Sequence, residues 1–218
     1  MSSNEPPSQN VVVKTTRPVF PFPPNEERKP IYTERLIIRP YVPEDLEGLR
    51  ELRTQPEVMQ WTSRGCADKD ISETQANLDG NLGENAIDKY NFVMALRSTG
   101  ELIGTGGSHK FVSSFGWPEI GYMLKREHWG KGLATEFLKG FLERWETLPR
   151  EEVDIEVDWR SVDGEGRVKE VMVGITEERN AGSNGVLGKN GFVRFGDWQE
   201  GEKLLVGWRF FVEEKEVR

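Results

Sequence analysis

The sequence predicts an α/β domain of the α+β kind, with a mixed, mostly antiparallel sheet of about seven strands flanked by helices. Three observations carry this. Apolar runs of strand length outnumber helix-period stretches. Most neighbouring runs are joined by hairpin-length turns, which favours antiparallel pairing. One long amphipathic helix, from Leu133 toward Pro149, has an apolar stripe wide enough to cover a sheet.

The totals narrow the function class. The chain has 218 residues, enough for one domain with a real core and a short tail. Its net charge of −8 argues against a nucleic-acid partner, because phosphate affinity comes from clustered Lys and Arg. The single cysteine, Cys66, cannot form an internal disulfide, so a reducing, cytoplasmic setting is expected. With two histidines and one cysteine, no metal is expected. No apolar run approaches the roughly 18 residues of a membrane span.

Residues 1–30 are rich in Pro, Ser and Asn, and "FPFPP" cannot join a helix. This segment is expected to be a flexible or extended arm, and residues 31–218 the domain proper. The arm lacks the basic start and apolar block of a signal peptide.

In the domain, "TERLIIRPY" reads as a strand ended by Pro40 or Pro43. "PEDLEGLRELR" opens with proline and acids, as helix N-termini prefer, and sets Leu46, Leu49 and Leu52 on one side. "ISETQANLDGNLG" is a weaker helix, broken by glycines. "YNFVMALR" and "ELIGTGGSHKF" flank Ser98-Thr99-Gly100 as a hairpin, and a third strand runs from Glu119 to Lys125. The long helix follows, with Leu133, Phe137, Leu138, Phe141, Leu142 and Trp145 on one stripe. "VDIEVDW" and "KEVMVGITE" are strand-like runs around Asp163-Gly164-Glu165-Gly166, and either could be the strand leading to Asn180. The second is favoured because it reaches Asn180 directly. A short helix over Ser183 to Lys189 and a last hairpin, "FVRFGDW" with "KLLVGWRFFVE", close the chain.

Gly130 and Gly132 stand between the third strand and the long helix. A helix N-terminus offers unpartnered N–H groups and partial positive charge, and glycines let an anion approach the backbone. The nucleotide P-loop does not fit, since Lys125 replaces its first Gly and Gly132 its hydroxyl residue. The dinucleotide fingerprint also fails, because Thr135 holds its third Gly position.

Glu127-His128-Trp129-Gly130-Lys131-Gly132 instead resembles the acyl-CoA loop of the GNAT acetyltransferase superfamily, whose pattern is Gln/Arg-x-x-Gly-x-Gly/Ala. "EIGYML" with "WGKGLATE" looks like the branch that includes ribosomal-protein N-terminal acetyltransferases. "TERLIIRPYVPEDL", "LIGTGG" and "NAGSNGVLGKNGF" fall in the family's order, over roughly Thr33 to Val212. Glu127 departs from the pattern, and Asp158 to Lys169 resembles an insertion.

The resemblance implies an acetyl-CoA-dependent N-acetyltransferase, acting by direct attack on a primary amine, either a protein N-terminus or a small molecule. It implies that backbone N–H groups of Gly130, Lys131, Gly132, Leu133 and Ala134, with the Thr135 hydroxyl, hold the pyrophosphate. Met123 and Leu124 would offer main-chain groups to the pantetheine arm, as would the side chain of Asn180. Ser183 matches a hydroxyl that assists the leaving thiolate, and its alternative is a helix N-cap. Glu119 is the candidate base, alternating with Gly121 and Met123 on one strand face, and its alternative is a hydrogen-bonding strand residue. His109 could also titrate near neutrality, or be structural. Tyr122 is expected in the core. The acceptor would be set by Trp61 to Asp70, Asn77 to Lys89 and the final hairpin. The competing class is a non-catalytic acyl-CoA-binding or interaction module of the same fold, and the proline-rich arm could dock on a partner's aromatic groove. A monomer or homodimer is expected, with neither nucleic acid nor membrane as partner.

Overall fold

Asn10–Pro18 carries three valines and two threonines, β-branched residues that favour an extended chain, and forms strand β1 in the computed structural model, which describes residues 9–213. It lies within the segment expected to be an arm, while Met1 to Ser8 lie outside the described residues. Strands β2 (Ile31–Tyr32) and β3 (Leu36–Arg39) follow, then helices α1 (Leu46–Arg53), α2 (Pro56–Met59) and α3 (Ile71–Asp79). Next come β4 (Tyr90–Leu96), β5 (Leu102–Lys110), β6 (Glu119–Leu124), α4 (Leu133–Trp145), β7 (Arg150–Asp158) and β8 (Val171–Glu177). The chain ends with α5 (Ala181–Lys189), β9 (Val193–Glu200) and β10 (Lys203–Phe211). Among the described residues the large sheet has eight strands, mostly antiparallel, against about seven expected; the two-residue β2 is too short to show a period. The chain divides into two compact units.

Residues 20–109 and 121–144 form one unit, with the strand order β2-β3-β4-β5-β6. Neighbouring residues of β4 point to opposite faces. Val93 joins Leu49, Leu52, Val58, Leu78 and Leu102 in a cluster under α1, α2 and α3. Phe92 faces the other way and meets Phe141 of α4, their ring centroids 6.3 Å apart. The apolar stripe of α4 is buried as its spacing predicts. Gly106 of β5 makes the close approach possible, since a Cβ there would stand 2.6 Å from the Phe137 ring.

Residues 9–19, 110–120 and 145–213 form the other unit, with the order β6-β8-β10-β9 and a two-stranded ribbon of β1 and β7. Both runs that could have led to Asn180 are strands, and their burial separates them. Every residue of β8 except Ile175 is buried, as in a strand covered on both faces, and β8 runs parallel to β6 with Val173 opposite Glu119. The run in β7 alternates apolar with acidic side chains, and it pairs antiparallel with β1 from Asn10 opposite Asp158 to Pro18 opposite Arg150. Val13, Phe115, Trp117, Val157, Val171 and Val173 make this unit's core.

Candidate active site

The expected site residues fall into two groups, one in each unit. The first group surrounds the glycine loop. β6 ends at Leu124, and Lys125 is buried with its Nζ bonded to Glu51 Oε2. A single turn over Arg126–His128 leads to Gly130 at φ 71° and Gly132 at φ 77°. Both values lie in the left-handed region, where a side chain is disfavoured. A Cβ on Gly130 would meet nothing within 4 Å, so the glycine is needed for backbone shape rather than internal space. The Glu136 N–H donates to the Gly132 carbonyl at 3.0 Å, which opens α4. The N–H groups of Gly132, Leu133, Ala134 and Thr135 therefore precede the first intrahelical donor.

Glu127, the departure from the pattern, is held by Gln55, whose Nε2 donates to its Oε2 at 3.2 Å. Its carboxyl sits below the usual range, first through its own backbone N–H.

Two residues that sequence reasoning left out complete this group. Arg35 donates through Nε to Glu136 Oε2 at 2.7 Å and through Nη1 to the Lys131 carbonyl at 2.9 Å. Trp129 donates its indole N–H to the Leu124 carbonyl at 2.8 Å. One main-chain group expected to face pantetheine therefore already has a donor. A tryptophan directly before a Gly-x-Gly is the signal that could have been read; for Arg35, 101 residues from Glu136, there was none.

On β6, Met123 packs against the cluster under α1 and α3, while the Tyr122 ring lies 6.2 Å from Phe137 of α4. That is the alternation expected, with Tyr122 half-buried. His109 lies over Gly121, where a Cβ would stand 2.8 Å from its Nδ1.

The second group belongs to the other unit. Glu119 is buried and accepts a hydrogen bond from Lys110 Nζ at 3.2 Å. Asn180 is the N-cap of α5, its Oδ1 accepting from the Ser183 N–H at 3.1 Å. This corrects the alternative reading of Ser183 as the cap: the helix starts two residues earlier than expected, and asparagine caps as well as serine. Capping uses the oxygen of the Asn180 amide and leaves its NH₂ as the group that could donate to a ligand. Asn184, also unforeseen, accepts from Thr176 Oγ1 at 2.6 Å and fastens α5 to β8. Among the described residues no group of three or more His, Cys, Asp or Glu could hold a metal ion, and no helix is long and apolar enough to cross a membrane.

The acetyltransferase (GNAT) domain family matches residues 35–193, which include the loop, β6, β8 and α5. This chain belongs to the GNAT acetyltransferase family. An uncharacterized N-acetyltransferase p20 from Bacillus licheniformis is 30% identical over 115 residues, 52% of this chain. The match spans 64% of that relative's length. A GNAT-family acetyltransferase from Bacillus anthracis has a similar fold, with a TM-score of 0.64 at 19% identity over 84% of this chain and 98% of that one. RimL, a ribosomal L7/L12 alpha-N-protein acetyltransferase in complex with coenzyme A, gives 0.64 at 16% identity over 86% and 100%. The mixed, mostly antiparallel sheet with flanking helices is thus the fold of GNAT proteins.

Proposed function

We propose that this protein is an acetyl-CoA-dependent N-acetyltransferase that acetylates a primary amine by direct attack. The observation that carries this reading is the loop itself. Two left-handed glycines deliver the chain to a helix whose first N–H groups lack intrahelical partners. That backbone accepts a pyrophosphate where side chains would obstruct it. The family's name, and the coenzyme A held by RimL, point to the same donor.

In this reading the backbone of Gly130, Lys131, Gly132, Leu133 and Ala134, with the Thr135 hydroxyl, holds the pyrophosphate. Met123, Leu124 and the Asn180 amide align the pantetheine arm. The amine nitrogen bonds to the thioester carbonyl carbon and the carbon–sulfur bond breaks. Glu119 takes the proton the amine loses; Ser183 gives one to the departing thiolate and recovers it from the protonated Glu119 through solvent, which restores both groups. Positioning supplies most of the rate, since holding two reactants together removes their association entropy from the barrier. The acceptor is a protein N-terminus or a small amine. Residues 31–218 carry the chemistry, and β1 of the arm serves the fold.

Coenzyme A is expected to raise the melting temperature, because a ligand specific for the folded state stabilises it by about 2.7 kcal/mol at a hundred times its Kd. NAD and ATP at equal concentration should give much smaller shifts. An equal shift with NAD would remove the loop assignment.

Ser183→Ala separates chemistry from structure. Because Asn180 holds the cap, the change should leave stability within about 0.5 kcal/mol by urea titration. It should lower kcat by about tenfold or more if the hydroxyl protonates the thiolate. An unchanged kcat would take Ser183 out of the chemistry.

A further inference from the structure

We propose that Arg35 is a positioning residue for the acyl-CoA pyrophosphate, a role that rests on the function proposed above. The four groups involved lie in one unit and come from two distant parts of the chain. Glu136, in the first turn of α4, accepts from the Thr33 hydroxyl at 2.6 Å, the Arg35 N–H at 2.7 Å and Arg35 Nε at 2.7 Å. Arg35 Nη1 then reaches the Lys131 carbonyl, between the two left-handed glycines. Its Nη2 stands 3.5 Å from the point a Cβ would occupy on Gly132.

This arrangement does two things. It fixes the peptide between Gly130 and Gly132, so that loop shape need not be found when the ligand arrives. Fixing a binding loop in advance removes an ordering cost from binding. It also cancels a charge. Burial works to raise the Glu136 carboxyl, but the bonds from Thr33 and Arg35 prevail and hold it below the usual carboxylate range, so it is ionised at neutral pH. An ionised carboxylate suits a helix N-terminus, yet it would repel a pyrophosphate bound there. The guanidinium neutralises it and keeps the N-terminus open to anions. A lysine could supply charge but not the two-point fork to Glu136 and the Lys131 carbonyl.

The test is titration of coenzyme A into the wild type, Arg35→Ala, Arg35→Lys and the double variant Arg35→Ala/Glu136→Gln, followed by calorimetry. Arg35→Ala should weaken coenzyme A by about tenfold or more, and Arg35→Lys by less. The double variant should recover part of the loss, because the uncompensated carboxylate has gone. A purely structural role would give no such recovery. Pantetheine, which lacks the pyrophosphate, should bind all four proteins alike. The Arg35 side chain is 45% exposed, so the variants are expected to fold; if Arg35→Ala does not, the comparison of wild type with Arg35→Lys decides. Wild type that binds coenzyme A, with variants within twofold of it, would overturn the role of Arg35 alone. Wild type that does not bind coenzyme A would overturn the proposed function and this role together.

Discussion

Gly132→Val should weaken coenzyme A binding by about tenfold or more, at least 1.4 kcal/mol, in a protein that stays folded. Two costs combine. At φ 77° a Cβ is strained against its own backbone, by roughly 1–2 kcal/mol. The added carbons would also stand where the proposed pyrophosphate meets the chain. Inside the protein the new Cβ meets only Arg35 Nη2, at 3.5 Å, an ordinary contact, so the fold should survive with a melting point lower by several degrees. Gly100→Val is the control. Gly100 has φ 76° in the β4–β5 turn with nothing within 4 Å of its Cβ position, so it carries the same strain away from the loop. Its variant should lose similar stability and keep coenzyme A affinity. Equal affinity loss in both variants would assign the effect to general destabilisation.

The largest stability effect is expected at Arg53. Its guanidinium donates to both oxygens of Asp68, at 2.7 and 2.9 Å, and Thr74 adds a third bond at 2.9 Å. The Asp68 side chain has no exposed surface and that of Arg53 has 9%. Arg53→Met would leave a buried carboxylate whose remaining cation, Arg64, is 3.7 Å away and partly exposed. Breaking such a pair from one side costs about 3–5 kcal/mol, which urea titration at pH 7 can measure. Arg53→Met/Asp68→Leu should regain much of it. Burial alone would raise the Asp68 carboxyl, but the bonds from Arg53 and Thr74 prevail and lower it. A carboxyl lowered by folding stabilises above its unfolded value of about 3.9 and loses that contribution as pH falls through the folded value. The wild type should therefore lose stability in acid more steeply than the double variant. The pair also anchors Asp68, in the segment expected to help select the acceptor, to α1 and α3.

Local pattern made much of this architecture legible. The stripe of α4, the β4–β5 hairpin and the β9–β10 hairpin each carry their signal within a few residues, as periodicity or a turn. The glycine loop was readable for the same reason. β1 was not, because Pro, Ser and Asn around Val11 to Val13 read as an arm and its partner lies about 140 residues away. Long-range pairing leaves no mark on either strand alone. Arg35 and Glu136 were hidden in the same way, each unremarkable until the fold brings α4 beside Thr33. The helix start at Ala181 was missed because Asn180 and Ser183 are both good caps three residues apart, and sequence does not say which one the chain will use.

The proposed reaction moves an acetyl group from acetyl-CoA to an amine. The direct measurement incubates the wild type with acetyl-CoA and a panel of protein N-terminal peptides and small amines, following free thiol and acetylated amine together. Thiol and acetyl-amine are expected in equal amounts with at least one acceptor class, and both should form more slowly in Gly132→Val at limiting acetyl-CoA. A protein that binds coenzyme A tightly yet releases no thiol above background with any amine would contradict that reaction, and would leave an acyl-CoA-binding module in its place.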